Sequence, residues 1–340
     1  MSSSPQIRSS FRPAQVATPR PASPPSHSTL VTTLRAAGCV FAEDEAELLL
    51  STAQTPGQLA AMVKRRVAGL PLEHVLGWAE FHGLRIAVDP GVFVPRRRTE
   101  FLLGEAVALG LRARNRHLPC SCRSDRSSRV HPDHPDHPDR PSHPGHPGQP
   151  LIAVDLCCGS GAVGTALATE LATELATGLA TAPAADGPER VELYAADIDP
   201  AAARCARRNL TAVGGQVYEG DLFGALPTGL RGRIDILVAN VPYVPTQEVG
   251  LLPAEAREYE PLVALDGGAD GLDVLRRVTA AAPQWLAPGG HLLVETSERQ
   301  APQAVEAFAR NGLLPRVATC DELYATVVIG TRPQDDGTGR

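Results

Sequence analysis

The chain has 340 residues, enough for one large domain and a smaller one. It carries 32 Lys and Arg against 38 Asp and Glu, a net charge of −6 with both signs interspersed, which argues against a broad nucleic-acid-binding face. Its seven scattered cysteines are an odd count that points to reduced thiols, and no run approaches the ~18 apolar residues of a membrane-spanning helix, so a cytoplasmic protein with no membrane association is expected.

Residues 1–28 are rich in Ser, Pro and Arg and hold no acid, a composition that predicts disorder. The segment lacks the apolar core of a secretory signal. Residues 29–77 read as a small helical domain, with Leu48-Leu49-Leu50 and Leu59-Ala-Ala-Met62 as apolar faces and Thr55-Pro56-Gly57 as a helix start. Its role is either to grip a protein partner or to act as scaffolding. Residues 78–95 read as a β-hairpin linker. Arg96 to Leu111 is expected to open a larger domain that runs to residue 332, with a disordered tail at 333–340.

Residues 112–150 read as an insert. His131, His134, His137, His143 and His146, with Cys120 and Cys122 upstream, have spacings that can bind zinc. The proline repeat favours an extended low-complexity stretch instead, and no metal is expected. The Leu-Ala-Thr-Glu repeat from Leu167 to Ala180 has period four and reads as a lengthened helix, since four residues make no structural repeat unit.

Four apolar runs within the larger domain read as strands. Leu151-Ile-Ala-Val-Asp-Leu156 suits a strand buried on both faces. It leads through Cys157-Cys158-Gly159-Ser160-Gly161 into an alanine-rich helix whose first N–H groups lack partners. Gly159, Gly161 and Gly164 also satisfy G-x-G-x-x-G, so the turn alone does not separate a nicotinamide dinucleotide from S-adenosylmethionine. Val191 to Ala196 is followed by Asp197, a carboxylate placed to take ribose hydroxyls, or else a helix cap ahead of Pro200. Gln216 to Glu219 leads to Asp221 and Leu222, near an adenine, or else a plain turn. Ile234 to Ala239 ends in Asn240-Val241-Pro242-Tyr243.

That last tetrapeptide suits a planar nitrogen group, an amide or a base's exocyclic amine. The Asn240 side-chain oxygen and the Val241 carbonyl can each accept one N–H of an NH2 group, while Tyr243 packs on its flat face. Acceleration would then come from positioning and electrostatics rather than from a strong base. With the glycine turn, the implied chemistry is methyl transfer from S-adenosylmethionine to a planar nitrogen.

The same residues resemble the HemK/PrmC protein-glutamine N5-methyltransferases, from about Leu30 to Gly330. The resemblance extends to Gly69-Leu-Pro-Leu-Glu-His-Val-Leu-Gly77, Phe93-Val-Pro-Arg-Arg-Arg-Thr-Glu100, Tyr259-Glu260-Pro261, Asp270-Gly271-Leu272, Pro288-Gly289-Gly290 and Glu295. It implies a doubly wound, seven-stranded, Rossmann-like α/β methyltransferase domain behind a small all-α N-terminal domain. It implies that Cys157, Cys158, Gly159, Ser160 and Gly161 line the methionine end of S-adenosylmethionine. Asp197 then holds the ribose, Asp221 and Leu222 border the adenine, and Asn240 to Tyr243 hold an acceptor glutamine. Phe93 matches an aromatic of the glutamine pocket, or is a hairpin core residue. The implied partner is a protein with an exposed glutamine, such as a release factor or a ribosomal protein.

The sequence departs from that family at Val241, where Pro is usual and where a PrmC-related subgroup carries this Asn-Val-Pro-Tyr form. It departs again at Cys157, where Gly is usual. Both changes keep two other readings open: an exocyclic amine of a nucleic acid as acceptor, and a cofactor-binding protein without turnover.

Overall fold

The computed structural model describes residues 26–117, 150–179 and 191–334. The N-terminal segment, most of the His/Pro-rich insert and the C-terminal tail lie outside the described residues. The chain divides into two compact units, residues 1–68 and 69–340.

The first unit is helical: α1 (His27–Ala36), α2 (Ala42–Thr52) and α3 (Pro56–Val67). Helix α3 starts where the sequence places it. Thr55 caps it by accepting from Gln58 N at 3.1 Å, Pro56 sits in the first turn, and Gln58 Oε1 accepts in return from Gln54 N. Leu30, Leu34, Ala46, Leu49, Leu59 and Met62 form the core. Within it Arg66 donates to both oxygens of Glu45, at 2.6 and 3.0 Å, with both side chains buried. Such a pair is costly to break from one side, because the remaining charge stays desolvated.

The second unit opens with α4 (Leu72–Leu76) and the hairpin β1 (Trp78–Phe81) and β2 (Leu84–Ala87). The sequence grouped α4 with the helical domain. The structure places it here, where His74 Nε2 meets Val92 O at 2.8 Å beyond the hairpin. There follow α5 (Thr99–His117), β3 (Leu151–Leu156), α6 (Ala162–Leu179), β4 (Val191–Asp197), α7 (Pro200–Leu210), β5 (Gln216–Glu219), β6 (Ile234–Ala239), α8 (Ala254–Tyr259), α9 (Asp273–Ala281), β7 (Leu286–Thr296), α10 (Ala301–Arg310), β8 (Leu314–Cys320) and β9 (Ala325–Thr331).

The sheet order is β5-β4-β3-β6-β7-β9-β8. The first five strands run parallel, and β9 runs antiparallel to both its neighbours, β7 and β8. Alternate strand residues serve opposite faces. Ile152, Val154, Leu237, Leu292 and Val294 pack with Leu275, Val278 and Phe308 of α9 and α10. Ala153, Leu193, Ile236, Val238 and Leu293 pack with Leu102, Leu103, Leu167 and Leu171 of α5 and α6. Both faces are covered, which is why these strands read as near-continuous apolar runs. The chain winds outward from β3 to β5, then returns to β6 on the other side of β3. The β3/β6 boundary is therefore the switch point, where ligands bind beyond the strand ends in such sheets.

Candidate active site

Leu156 pairs with Ala196 on one side and Ala239 on the other. Cys157 and Asn240, just after β3 and β6, and Asp197, the last residue of β4, therefore emerge side by side at the switch point. They line a cavity of about 430 Å³ together with Phe93, Thr99, Asp155, Cys158, Gly159, Ser160, Val241, Pro242 and Tyr243. Gly161, Asp221 and Leu222 are not among its lining residues. Asp221 is half exposed and pairs with Arg277 at 2.5 Å.

The turn after β3 is shaped by close packing. Gly161 has φ +78, and a Cβ there would come within 2.3 Å of Leu210 Cδ1 on α7. Only glycine lets α6 approach α7 this closely. Asp197 caps the turn from β4: its Oδ2 accepts from Gly159 N at 2.8 Å and its Oδ1 from Asp199 N at 2.9 Å. Asp199, not Asp197, is the N-cap of α7, accepting from Ala201 N. Asn209 ties the same turn to the hairpin, donating to Ser160 O and Ala87 O and accepting from Ala87 N.

Asp155 is buried, with Oδ2 accepting from Gly164 N at 2.9 Å. Burial pushes its pKa up to about 7. Burial raises Asp197 as well. Two desolvated carboxyls at this turn fit a cofactor that carries positive charge and hydroxyls. Negative charge on either carboxyl would be unfavourable beside a diphosphate. Burial, then the charges of Asp197 and Asp155, also push the Cys157 thiol up. It stays neutral at ordinary pH and so is a poor nucleophile.

The acceptor segment is braced from several elements. Asn240 Nδ2 donates to Thr99 Oγ1 at 3.4 Å. Val244 N donates to Leu265 O, and Gly267 N to Val244 O. A Cβ on Gly271 would lie 2.2 Å from the Tyr243 carbonyl oxygen. The loop that carries Gly267 and Gly271 thus packs directly on the backbone of Pro242 and Tyr243. Sequence reasoning singled out none of Asp155, Thr99, Asn209, Arg98 or Gln300 for a role. Asp155 was visible as a charged residue in an apolar strand, and Arg98 and Thr99 lay in a segment that carries the family resemblance; Asn209 and Gln300 left no local signal.

No protein-family model matches the chain. It is 33% identical over 282 residues to the release factor glutamine methyltransferase of Geobacter sulfurreducens, covering 82% of this chain and 79% of that protein. It is 33% identical over 247 residues to the protein of the same name from Streptomyces coelicolor, covering 73% and 70%. It is also 30% identical over 300 residues to a 4-amino-L-phenylalanine/4-methylamino-L-phenylalanine methyltransferase of Streptomyces pristinaespiralis, covering 87% and 85%. Among solved structures, a ribosomal protein L11 methylase from Lactobacillus delbrueckii subsp. bulgaricus is 14% identical with a TM-score of 0.40, covering 73% of this chain and 86% of that one.

The fold and these relatives define an S-adenosylmethionine-dependent α/β methyltransferase. The chain belongs to the family of the release factor glutamine methyltransferases.

Proposed function

We propose that the protein transfers a methyl group to the side-chain amide nitrogen of a glutamine in a protein, with a release factor as substrate, in the cytoplasm. The single observation that carries the acceptor chemistry is the Asn240–Thr99 hydrogen bond. Thr99 takes the amide nitrogen of Asn240, leaving Oδ1 as the group that can accept from a substrate NH2. The Val241 carbonyl is the second acceptor. Two acceptors on one NH2 turn its plane so that the nitrogen lone pair faces the donor. This orientation matters because the amide lone pair is otherwise delocalised into the carbonyl.

The cofactor supplies a methyl group on a sulfonium. Asp197 is assigned to the ribose hydroxyls, and the turn from Cys157 to Ser160 to the methionine end. Gly161 serves by close packing behind that turn. Asp221 and Leu222 border the adenine side, with Asp221 steered by Arg277. Phe93 and Tyr243 form the walls of the acceptor slot. Tyr243 remains a neutral phenol, since burial pushes its pKa up to about 12. Asn240 and Val241 would hold the N–H groups as the C–N bond forms and the methyl C–S bond breaks, its electron pair staying on sulfur to leave a neutral thioether, and the surplus proton of the methylated nitrogen would leave to water. The helical unit, residues 1–68, is assigned the grip on the protein partner.

Radiolabelled methyl transfer to a release factor, followed by mass spectrometry of the modified glutamine, tests this reading. A second reading is methylation of a free aromatic amine. The relative from Streptomyces pristinaespiralis favours it, because Asn240 suits any planar NH2 group. Presenting both acceptors to the enzyme in one assay separates the two.

Two expected results belong here. Val241→Pro retains methyl transfer, since only the backbone carbonyl at that position acts and a residue after a strand end tolerates the φ of proline. Loss of activity with intact cofactor binding would show a motif retuned for another acceptor.

The second concerns Asp155. Its folded pKa of about 7 lies above the ordinary carboxylate value, so its favourable contribution to the free protein is complete at low pH and is lost as pH rises through about 7. A cationic cofactor favours the ionised form. Cofactor affinity is therefore expected to rise as pH increases from about 6 to 8 and then level off. Asp155→Asn removes that rise, as read by calorimetric titration at each pH.

A further inference from the structure

Tyr243 is held at both ends. Its phenol oxygen accepts from Arg98 Nη2, and the Arg98 guanidinium lies 5.7 Å from the ring centroid. Arg98 Nε in turn donates to Glu295 Oε1 at 2.9 Å. Glu295 stands near the end of β7, 2% exposed, and its Oε2 has no partner among the described residues. At the main chain, Gln300 Nε2 donates to the Tyr243 carbonyl at 2.9 Å and to the Asp270 carbonyl at 2.9 Å. Gln300 Oε1 accepts from Ser297 Oγ at 2.6 Å, and the residue is 4% exposed.

These contacts are more than a surface loop needs. We infer that Arg98 and Gln300 are positioning residues that fix Tyr243, and through it the neighbouring Val241 and Asn240 acceptors, for the incoming NH2 group. The inference rests on the amide-acceptor reading above and adds the residues that set its geometry.

The segment leaves β6 at Ala239, and its strand-type pairing among the described residues lies further on, at the Val244–Asp266 bridge. Gln300 adds a tie just before that bridge, joining the Tyr243 carbonyl to the glycine loop at Asp270. Arg98 fixes the ring from its edge and face. Its charge is matched by Glu295, so the ring is held without adding net positive charge near the nitrogen that becomes positive during transfer. Gln300 does not line the cavity, and Arg98, which does, has its guanidinium committed to Tyr243 and Glu295, so neither side chain is asked to take part in bond making.

The test uses Gln300→Met, which keeps length and loses both donors and the acceptor. It also uses Arg98→Met combined with Glu295→Met, which removes both charges and avoids leaving a buried carboxylate alone. Arg98→Lys is the rescue control. Each variant is measured for cofactor affinity by titration and for kcat and KM on the protein acceptor. Tyrosine-labelled ¹³C NMR follows the Tyr243 ring, its signal assigned with Tyr243→Phe among the five tyrosines.

Expected is a fall in kcat of about 10- to 100-fold with cofactor affinity held, since displacement by about 1 Å costs this order of rate. The Tyr243 signal shifts or broadens, and Arg98→Lys recovers part of kcat. Unchanged kcat in folded variants overturns the inference. So does a parallel loss of cofactor affinity, which would mark the network as general scaffolding. If the wild-type protein transfers no methyl group to glutamine, the function reading fails by itself. The Tyr243 signal then decides the clamp: broadened in the variants it stands, unchanged it falls.

Discussion

Asn240→Ala is expected to reduce methyl transfer by roughly 10²–10³-fold while leaving cofactor affinity and fold intact. The magnitude is that of losing one orienting group that acts mainly in the transition state. The structure gives reasons to expect the separation. Asn240 is only partly buried, and its one side-chain hydrogen bond among the described residues, to Thr99, joins it to α5 without supporting the turn that follows β3. The fold at this point is carried by Ala239, fully buried and paired with both Leu156 and Val294. Asn240→Asp is the sharper variant. A carboxylate still offers an oxygen, but it can no longer donate to Thr99, and its charge follows whatever proton it takes up. If methyl transfer to glutamine survives Asn240→Ala at the wild-type rate, the amide-acceptor mechanism is wrong.

How much of this was legible in the sequence follows from where each interaction sits. The strands β3, β4 and β6 were visible because a parallel sheet covered on both faces favours near-continuous apolar runs, as in Ile152 to Leu156 and Ile234 to Ala239, each broken only by one aspartate, Asp155 and Asp235. The turn at Gly159 to Gly161 and the tetrapeptide at Asn240 were visible because they follow such runs directly. Strand β7 was harder to see: it contains Pro288-Gly289-Gly290, a turn-like string that the structure accommodates at a register shift opposite Ile234 and Ile236. The pairings of the residues assigned to orient the site had no local signature, although Arg98, Thr99 and Glu295 lie in segments that carry the family resemblance. Thr99 meets Asn240 across 141 residues, Arg98 meets Glu295 across 197, and Gln300 meets Tyr243 across 57. Pairings of that length leave no periodicity to read, and each of these residues alone looks like ordinary helix-end or loop chemistry. The raised pKa of Asp155 is hidden for a related reason, since it depends on how completely α6 closes over the strand end.

Asp197→Ala is expected to weaken cofactor binding by about 1.5–3 kcal/mol, the scale of a hydrogen bond to a charged group, which is roughly 10- to 150-fold in affinity. In the free protein the Asp197 carboxylate already accepts from two backbone N–H groups, Gly159 and Asp199. Each oxygen keeps a second lone pair, so ribose hydroxyls can be added without displacing either bond. The Gly159 bond also spans two strand ends, so the side chain sets the height of the glycine turn against β4. Alanine therefore removes the hydroxyl acceptor and loosens the turn together. Asp197→Asn separates those effects poorly but informatively. One of its two positions becomes an NH2 facing a backbone N–H, donor against donor, so asparagine is expected to bind cofactor little better than alanine. Calorimetric titration with S-adenosylmethionine and its demethylated product, with NAD as a negative control, reads the loss. Hydrogen exchange at Gly159 and Asp199 reports whether the turn has opened. Unchanged affinity in a folded Asp197→Ala would overturn the ribose assignment. An opened turn with unchanged affinity would move the ribose contact to another group in the same cavity.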